Sequence, residues 1–93
     1  MPQTVYRDAC RVLRALSCES RLLILDRLAR GECTVTELTR LVGSDQSTVS
    51  KHLALLRGVG LVEDRRSGAF VQYRLKDLGV LNVVREAMRA ARR

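Results

Sequence analysis

Apolar residues recur at helical spacing through most of the chain and switch to strict alternation only once. Val5, Ala9, Val12, Leu13 and Leu16 stand at i, i+4, i+7, i+8 and i+11, which predicts an amphipathic first helix over about 4–16. Leu22, Leu23, Ile24, Leu25 and Leu28 form an arc too broad for a surface helix, so a second helix over about 19–30, stopped at Gly31, is expected at the centre of the core. Thr34-Val35-Thr36-Glu37 has the capping-box form, in which hydroxyl and carboxylate satisfy each other's free backbone N–H groups, and Leu38, Leu41 and Gly43 complete a short third helix. Ser44 and Asp45 offer cap oxygens ahead of a fourth helix over about 46–57, where Val49, Leu53 and Leu56 repeat and Gly58 is expected to supply the left-handed stop.

From Leu61 to Leu75 the pattern becomes extended. Val71, Tyr73 and Leu75 alternate with Gln72 and Arg74, and Arg66-Ser67-Gly68-Ala69 makes the turn of a hairpin with a basic tip. Asp77 can cap a last helix over about 77–91, in which Leu81, Val84, Met88 and Ala91 share a face. The predicted class is mainly α with one β-hairpin, an α+β arrangement in the order α-α-α-α-β-β-α. Two helices joined by Val42-Gly43-Ser44-Asp45 and followed directly by a hairpin make a winged helix-turn-helix, with the helix pair over about 34–57 and the wing over about 61–75.

Ninety-three residues with 46% hydrophobic content are enough for one modest core and too few for two, so a single domain over 1–93 is expected. The formal charge of +7 is uneven. Residues 1–46 hold 7 basic and 6 acidic side chains, a net +1, whereas residues 47–93 hold 10 and 4, a net +6. That asymmetry suits a phosphate-facing surface, although basic surfaces also serve membranes and solubility. No stretch reaches the apolar length of a membrane span, and Met1-Pro2-Gln3-Thr4 leads into charged residues rather than a signal core, so a cytoplasmic location with no membrane partner is expected. The 3 cysteines lack the spacing of a C-x-x-C or structural zinc module and read as reduced thiols.

The fourth helix carries the chemistry. Its positions outside the core are Gln46, Ser47, Thr48, Ser50, Lys51, His52 and Arg57, short or amide-bearing near the N-terminus and cationic further on. In a major groove Gln can bond adenine bidentately and Ser or Thr can serve base edges, which makes Gln46, Ser47 and Thr48 the specificity candidates. Lys51 and His52 suit phosphate oxygens, and Ser44 in the turn and Arg57 extend the set. Arg65 and Arg66 flank the hairpin turn, where a wing reaches the minor groove or its phosphates. The competing readings are polar residues that only cap and solvate a helix start and a basic turn that is only solvated. Catalysis finds little support, because the single histidine, His52, lies on this same face without a nearby cysteine or acidic orienter.

Three segments resemble the ArsR/SmtB family of metal-responsive repressors: Leu16-Ser17-Cys18-Glu19-Ser20-Arg21-Leu22-Leu23-Ile24-Leu25, then Gln46-Ser47-Thr48-Val49-Ser50-Lys51-His52-Leu53-Ala54-Leu55-Leu56-Arg57, then Gly60-Leu61-Val62. The likeness covers about residues 5–90. It implies a homodimer joined through the first and last helices, seated on an inverted repeat of double-stranded DNA without any cofactor and released when an inducer binds. The family's Cys-x-Cys inducer site at the start of the third helix aligns with Thr34 and Thr36, so that site is lacking. The family's second site takes Asp, His and Glu donors from the last helix, where residues 77–93 offer only Asp77 and Glu86.

Cys10, Cys18 and Cys33 remain as a candidate inducer site, since thiolates suit soft ions such as As(III), Cd(II) or Cu(I) and also react with oxidants or persulfides. Cys18 falls at the family's N-cap position for the second helix, where free N–H groups and the helix dipole favour a thiolate. Family dimers sometimes complete a metal site with N-terminal cysteines of the partner chain, and the resemblance allows such a site between Cys10 and Cys33 across the dimer. Each cysteine can equally pack as a small apolar group. Beside a repressor relieved through thiols stand a family member with no inducer site and, from another class, a winged-helix module that grips protein rather than DNA.

Overall fold

The computed structural model of the chain describes residues 2–92. Eight elements follow one another: α1 (Gln3–Leu16), α2 (Glu19–Leu28), β1 (Cys33–Thr34), α3 (Val35–Val42), α4 (Gln46–Gly58), β2 (Val62–Ser67), β3 (Phe70–Leu75) and α5 (Val80–Ala91). The winged helix-turn-helix expected from the pattern is present, and a two-residue strand adds to it. β1 pairs antiparallel with β3 through Cys33↔Tyr73 and Thr34↔Gln72, giving a sheet of order β1-β3-β2. No alternation announces β1, because two residues are too short to display a period.

Local chemistry sets the helix boundaries. The Thr34 hydroxyl accepts the Glu37 N–H at 3.2 Å while Glu37 Oε1 accepts the Thr34 N–H at 3.1 Å, the expected capping box. α3 ends at Gly43, whose φ of 77° is a left-handed conformation that a side chain disfavours. Two residues on, Asp45 Oδ1 accepts the Thr48 N–H at 2.8 Å and starts α4, so Asp45 rather than Ser44 is the cap. Two expected boundaries move. Gly58 lies inside α4, and the positive φ falls on Gly60 at 83° instead. Asp77 does not cap α5. Its carboxylate takes the Gly79 N–H at 2.9 Å within a turn, and the helix begins only at Val80.

The core gathers around α2, as its broad apolar arc predicts: Ile24, Leu25 and Leu28 meet Leu38 of α3, Val49, Leu53 and Leu56 of α4, and Val80 and Val84 of α5. Leu61, Val62 and Tyr73 close the base of the wing over them. The apolar face read for the first helix is only partly used, since Leu16 is buried while Val5 and Leu13 are 44% and 52% exposed. Leu41 of α3 and Met88 of α5 are exposed as well. Between α1 and α5 this leaves an open apolar groove of about 360 Å³ lined by Leu13, Leu16, Leu22, Val83, Val84 and Met88, among others.

Candidate nucleic-acid interface

Burial of Val49, Leu53 and Leu56 orients α4 on the core and turns its remaining positions outward in three rows. On the wing side, Gln46 lines a small recess with Thr34, Val35 and Thr36 of β1 and α3 and with Ala69, Phe70 and Val71 at the wing tip. Further along that side Arg57 Nη1 meets Asp64 Oδ1 of β2 at 3.2 Å. On the opposite side His52 is half-buried, with Nδ1 3.3 Å from Arg21 Nη1 of α2. Between these rows Ser47, Ser50 and Lys51 stand exposed, and Thr48 is exposed beside them. The first turn thus presents a short polar surface backed by N–H groups, the form that a groove floor accepts.

The wing is a two-residue hairpin. Ser67 pairs with Phe70 across Gly68 and Ala69, and Gly68 takes the positive φ of 63° that tight hairpin turns require. Register separates the two arginines that sequence reading treated alike. Arg65 pairs with Gln72 and Arg66 with Val71, so they project from opposite faces of the ribbon. Arg65 Nη2 is held by Glu32 Oε2 at 2.8 Å, and Glu32 Oε1 also lies 3.8 Å from Arg74, which bonds Glu63 at 2.7 Å. Arg66 forms no ion pair among the described residues.

Three of the predicted contacts are already engaged within the protein. Arg57 and Arg65 meet carboxylates and His52 meets a guanidinium, so none of the three is an unengaged cation awaiting phosphate. The two ion pairs are solvent-exposed and worth about 0–1 kcal/mol each, weak enough for a phosphate oxygen to replace the carboxylate. His52 is different in kind. Arginine only donates, so in this contact Nδ1 is the acceptor. Sequence reading missed Arg21, whose Nε also donates to the Ala15 carbonyl at 2.6 Å and whose Nη2 donates to the Arg14 carbonyl at 3.2 Å. Its partners lie as far as 31 positions away, and no local pattern marks such a link.

The cysteines are spread rather than gathered. Cys10 is exposed on α1, Cys18 is half-buried at the N-cap of α2 with no side-chain cap bond, and Cys33 is 1% exposed in β1. Burial pushes the Cys33 thiol up from its ordinary 9.0, against the smaller pull of Arg27. Among the described residues no three His, Cys, Asp or Glu side chains stand where they could hold one metal ion within a single chain.

The sequence pattern of bacterial regulatory proteins of the arsR family matches residues 18–64, from the N-cap of α2 into β2. The chain belongs to the ArsR family. Over 76 residues it is 42% identical to the HTH-type transcriptional regulator NmtR of Mycobacterium tuberculosis, an alignment that takes in 82% of this chain and 63% of that protein. The chain thus spans a little under two thirds of the length of the curated relatives it matches first, such as NmtR at 63% and SmtB at 64%. Reduced HlyU from Vibrio cholerae superposes with a TM-score of 0.83 at 33% identity, covering 98% of this chain and 96% of that one. The homodimeric winged helix-turn-helix DNA-binding domain of Mb0332 from Mycobacterium bovis gives 0.85 at 34% identity, over 96% and 82%. Both the family resemblance and the winged-helix class read from the sequence stand. No described helix is long and apolar enough to cross a membrane.

Proposed function

We propose that this ArsR-family chain is a homodimeric repressor that binds an inverted-repeat operator in double-stranded DNA, reads it through α4 and the wing, and leaves it on a thiol-directed signal. The observation that carries the DNA half is the exposed first half of α4, with Ser47, Ser50 and Lys51 between the wing on one side and α2 on the other. The dimer half is supported by the exposed apolar groove between α1 and α5, and by the homodimeric description of the Mb0332 domain. Ser44, Gln46 and Thr48 join the base-reading set, and Lys51 and Arg66 serve phosphates. Arg57, Arg65 and His52 contribute after exchanging or while keeping their internal partners.

The signal is a soft metal or metalloid such as As(III), or an oxidant or persulfide, acting on thiols. Of the three, Cys10 and Cys18 are open to reagents, whereas Cys33 is enclosed. A similar structure, that of HlyU from Vibrio cholerae, is described as reduced. Release follows if the modified or metal-bound protein favours a conformation that fits DNA poorly, because an inducer shifts the equilibrium by no more than its differential affinity for the two states. A second reading, a repressor with no inducer site, draws on the absence of a three-donor cluster among the described residues.

Titrating the chain with duplex DNA at rising salt tests the first half, and no affinity even at low salt would end it. Replacing Cys10, Cys18 and Cys33 together by serine tests the second. Release that persists unchanged for every soft metal and oxidant removes the thiol signal, whereas a native chain that none of them releases leaves the second reading.

A further inference from the structure

The flank of α4 that faces away from the wing opens onto a cleft of about 360 Å³ lined by Arg11, Arg14 and Ala15 of α1, Arg21 of α2, and Leu55 and Val59 at the end of α4 and just beyond. No carboxylate lines it. None of the three arginines takes part in an ion pair among the described residues, whereas Arg30, Arg57, Arg65, Arg74 and Arg89 all do. Arg21 is spent on neutral acceptors, the Ala15 and Arg14 carbonyls and His52 Nδ1, which leave its charge uncompensated. Three like charges around one open cleft repel each other unless an anion bridges them. Guanidinium forks match the paired oxygens of a phosphate.

We propose that this cleft is a second phosphate-binding surface, which grips the sugar–phosphate backbone of duplex DNA alongside the groove that α4 enters. The proposal rests on the DNA-binding reading given above and extends the contact to α1, an element outside the helix-turn-helix and the wing. Continuity selects DNA over other polyanions. Leu55 lies one helical turn beyond His52, which contacts Arg21 of the cleft, so the cleft continues along α4 from its outward polar residues. Arg7, Arg11 and Arg14 stand at i, i+4 and i+7 and carry the row back along α1. That row lies on the side of α1 away from Val5, Ala9 and Leu13, so an anion there leaves the apolar groove free for a second protomer. On contacting phosphate, Arg11 and Arg14 each release one counterion.

The test is the salt dependence of the Arg11→Gln/Arg14→Gln double variant on a duplex selected from random sequence by the native chain, with KCl between 50 and 200 mM. Both side chains are exposed, so melting temperature and dimer formation serve as controls for an intact fold. Losing two phosphate contacts on each protomer, four per dimer, makes the slope of log affinity against log salt shallower by about 3.6, so the variant's deficit relative to the native chain shrinks about 150-fold over that range. The ranking of duplexes carrying single base-pair changes is expected to stay as it is in the native chain. A native chain that binds while the variant keeps the same slope overturns the cleft and leaves the DNA reading intact. An altered base ranking overturns the phosphate assignment. A native chain that binds no duplex at low salt defeats both.

Discussion

Arg21→Met tests the idea that one guanidinium ties three elements together. Methionine keeps an apolar stem of similar length, so the change removes the hydrogen bonds and largely spares the packing. Arg21 supplies a donor to the Ala15 carbonyl at the end of α1, at 2.6 Å in a part-buried position, and a second donor at 3.2 Å on the surface to the Arg14 carbonyl, which already takes the Ser17 N–H at 3.2 Å. A hydrogen bond from a charged donor contributes about 1.5–3 kcal/mol when enclosed, and a surface one nearer 0.5 kcal/mol because water replaces it. The bond to His52 is long at 3.3 Å and its acceptor is neutral, so a coupling of about 0.5 kcal/mol is expected from it. The sum, about 2.5–4 kcal/mol, corresponds to a fall of roughly 10–30 °C in melting temperature for a domain of this size. The assay is thermal unfolding at a fixed protomer concentration, since a dimer's midpoint moves with concentration. His52→Ala alone is expected to shift it little, and Arg21→Met in that background to keep most of its effect. Arg21→Lys, a point charge without the fork, is expected to recover less than half. A fall of under about 4 °C, or an effect that vanishes once His52 is gone, would refute the assignment of Arg21 to the α1 carbonyls.

Three further outcomes are expected. Lys51→Ala weakens DNA binding evenly across sequences and makes the salt slope shallower by about 1 for each protomer, whereas Gln46→Ala relaxes preference at one base pair of each half-site; binding isotherms on a panel of duplexes separate the two, and identical behaviour contradicts the division of roles. Glu37 and Asp45 both titrate below their ordinary 4.5 and 3.8, Glu37 because it accepts the Thr34 N–H and hydroxyl, Asp45 because it accepts from the Thr48 hydroxyl and N–H. The folded chain then binds fewer protons than the unfolded one in that range, so the stabilisation is complete above those ordinary values and disappears as pH falls through the lowered ones. Melting between pH 2 and 6 should show an acid limb that Asp45→Asn flattens, and an unchanged limb would contradict the cap's role. Finally, Cys10 should react quickly with a maleimide at neutral pH while Cys33, enclosed and with its thiol pushed up, reacts only on unfolding; mass spectrometry of the native chain reads the order, and early labelling of Cys33 would refute its burial.

Much of this fold is written locally. The capping box at Thr34 and Glu37, the Asp45 cap and the Gly43 stop act within four residues, so the turn between α3 and α4 could be read before any tertiary contact was known. The hairpin followed from alternation with a glycine at its centre. Boundaries failed where two residue types compete for one task. Gly58 and Gly60 both offer a left-handed stop, and it is Gly60 that adopts it as the chain turns into Leu61, whose N–H returns to the Leu56 carbonyl at 3.0 Å. Asp77 can cap a helix or bind a turn, and here it binds the turn.

The candidate site divides along the same line. Residue types and helical period, both local, identified α4 as the polar helix ahead of a basic wing and placed the thiols outside it. Which of those side chains remain unengaged is a long-range matter. Arg57 found Asp64, Arg65 found Glu32 across 33 positions, and His52 found Arg21 across 31. Composition cannot foretell such pairings, because a cation's partner depends on which strands and helices become neighbours. Register alone put Arg65 and Arg66 on opposite faces of the wing, and helix packing alone brought Arg11 and Arg14 beside Leu55. The sequence by itself determined the family, the class of fold and the exposed polar helix ahead of the wing. Tertiary structure decided which charges are already spent inside the protein and which are left for a partner, since that choice is made by distances between elements far apart in the chain.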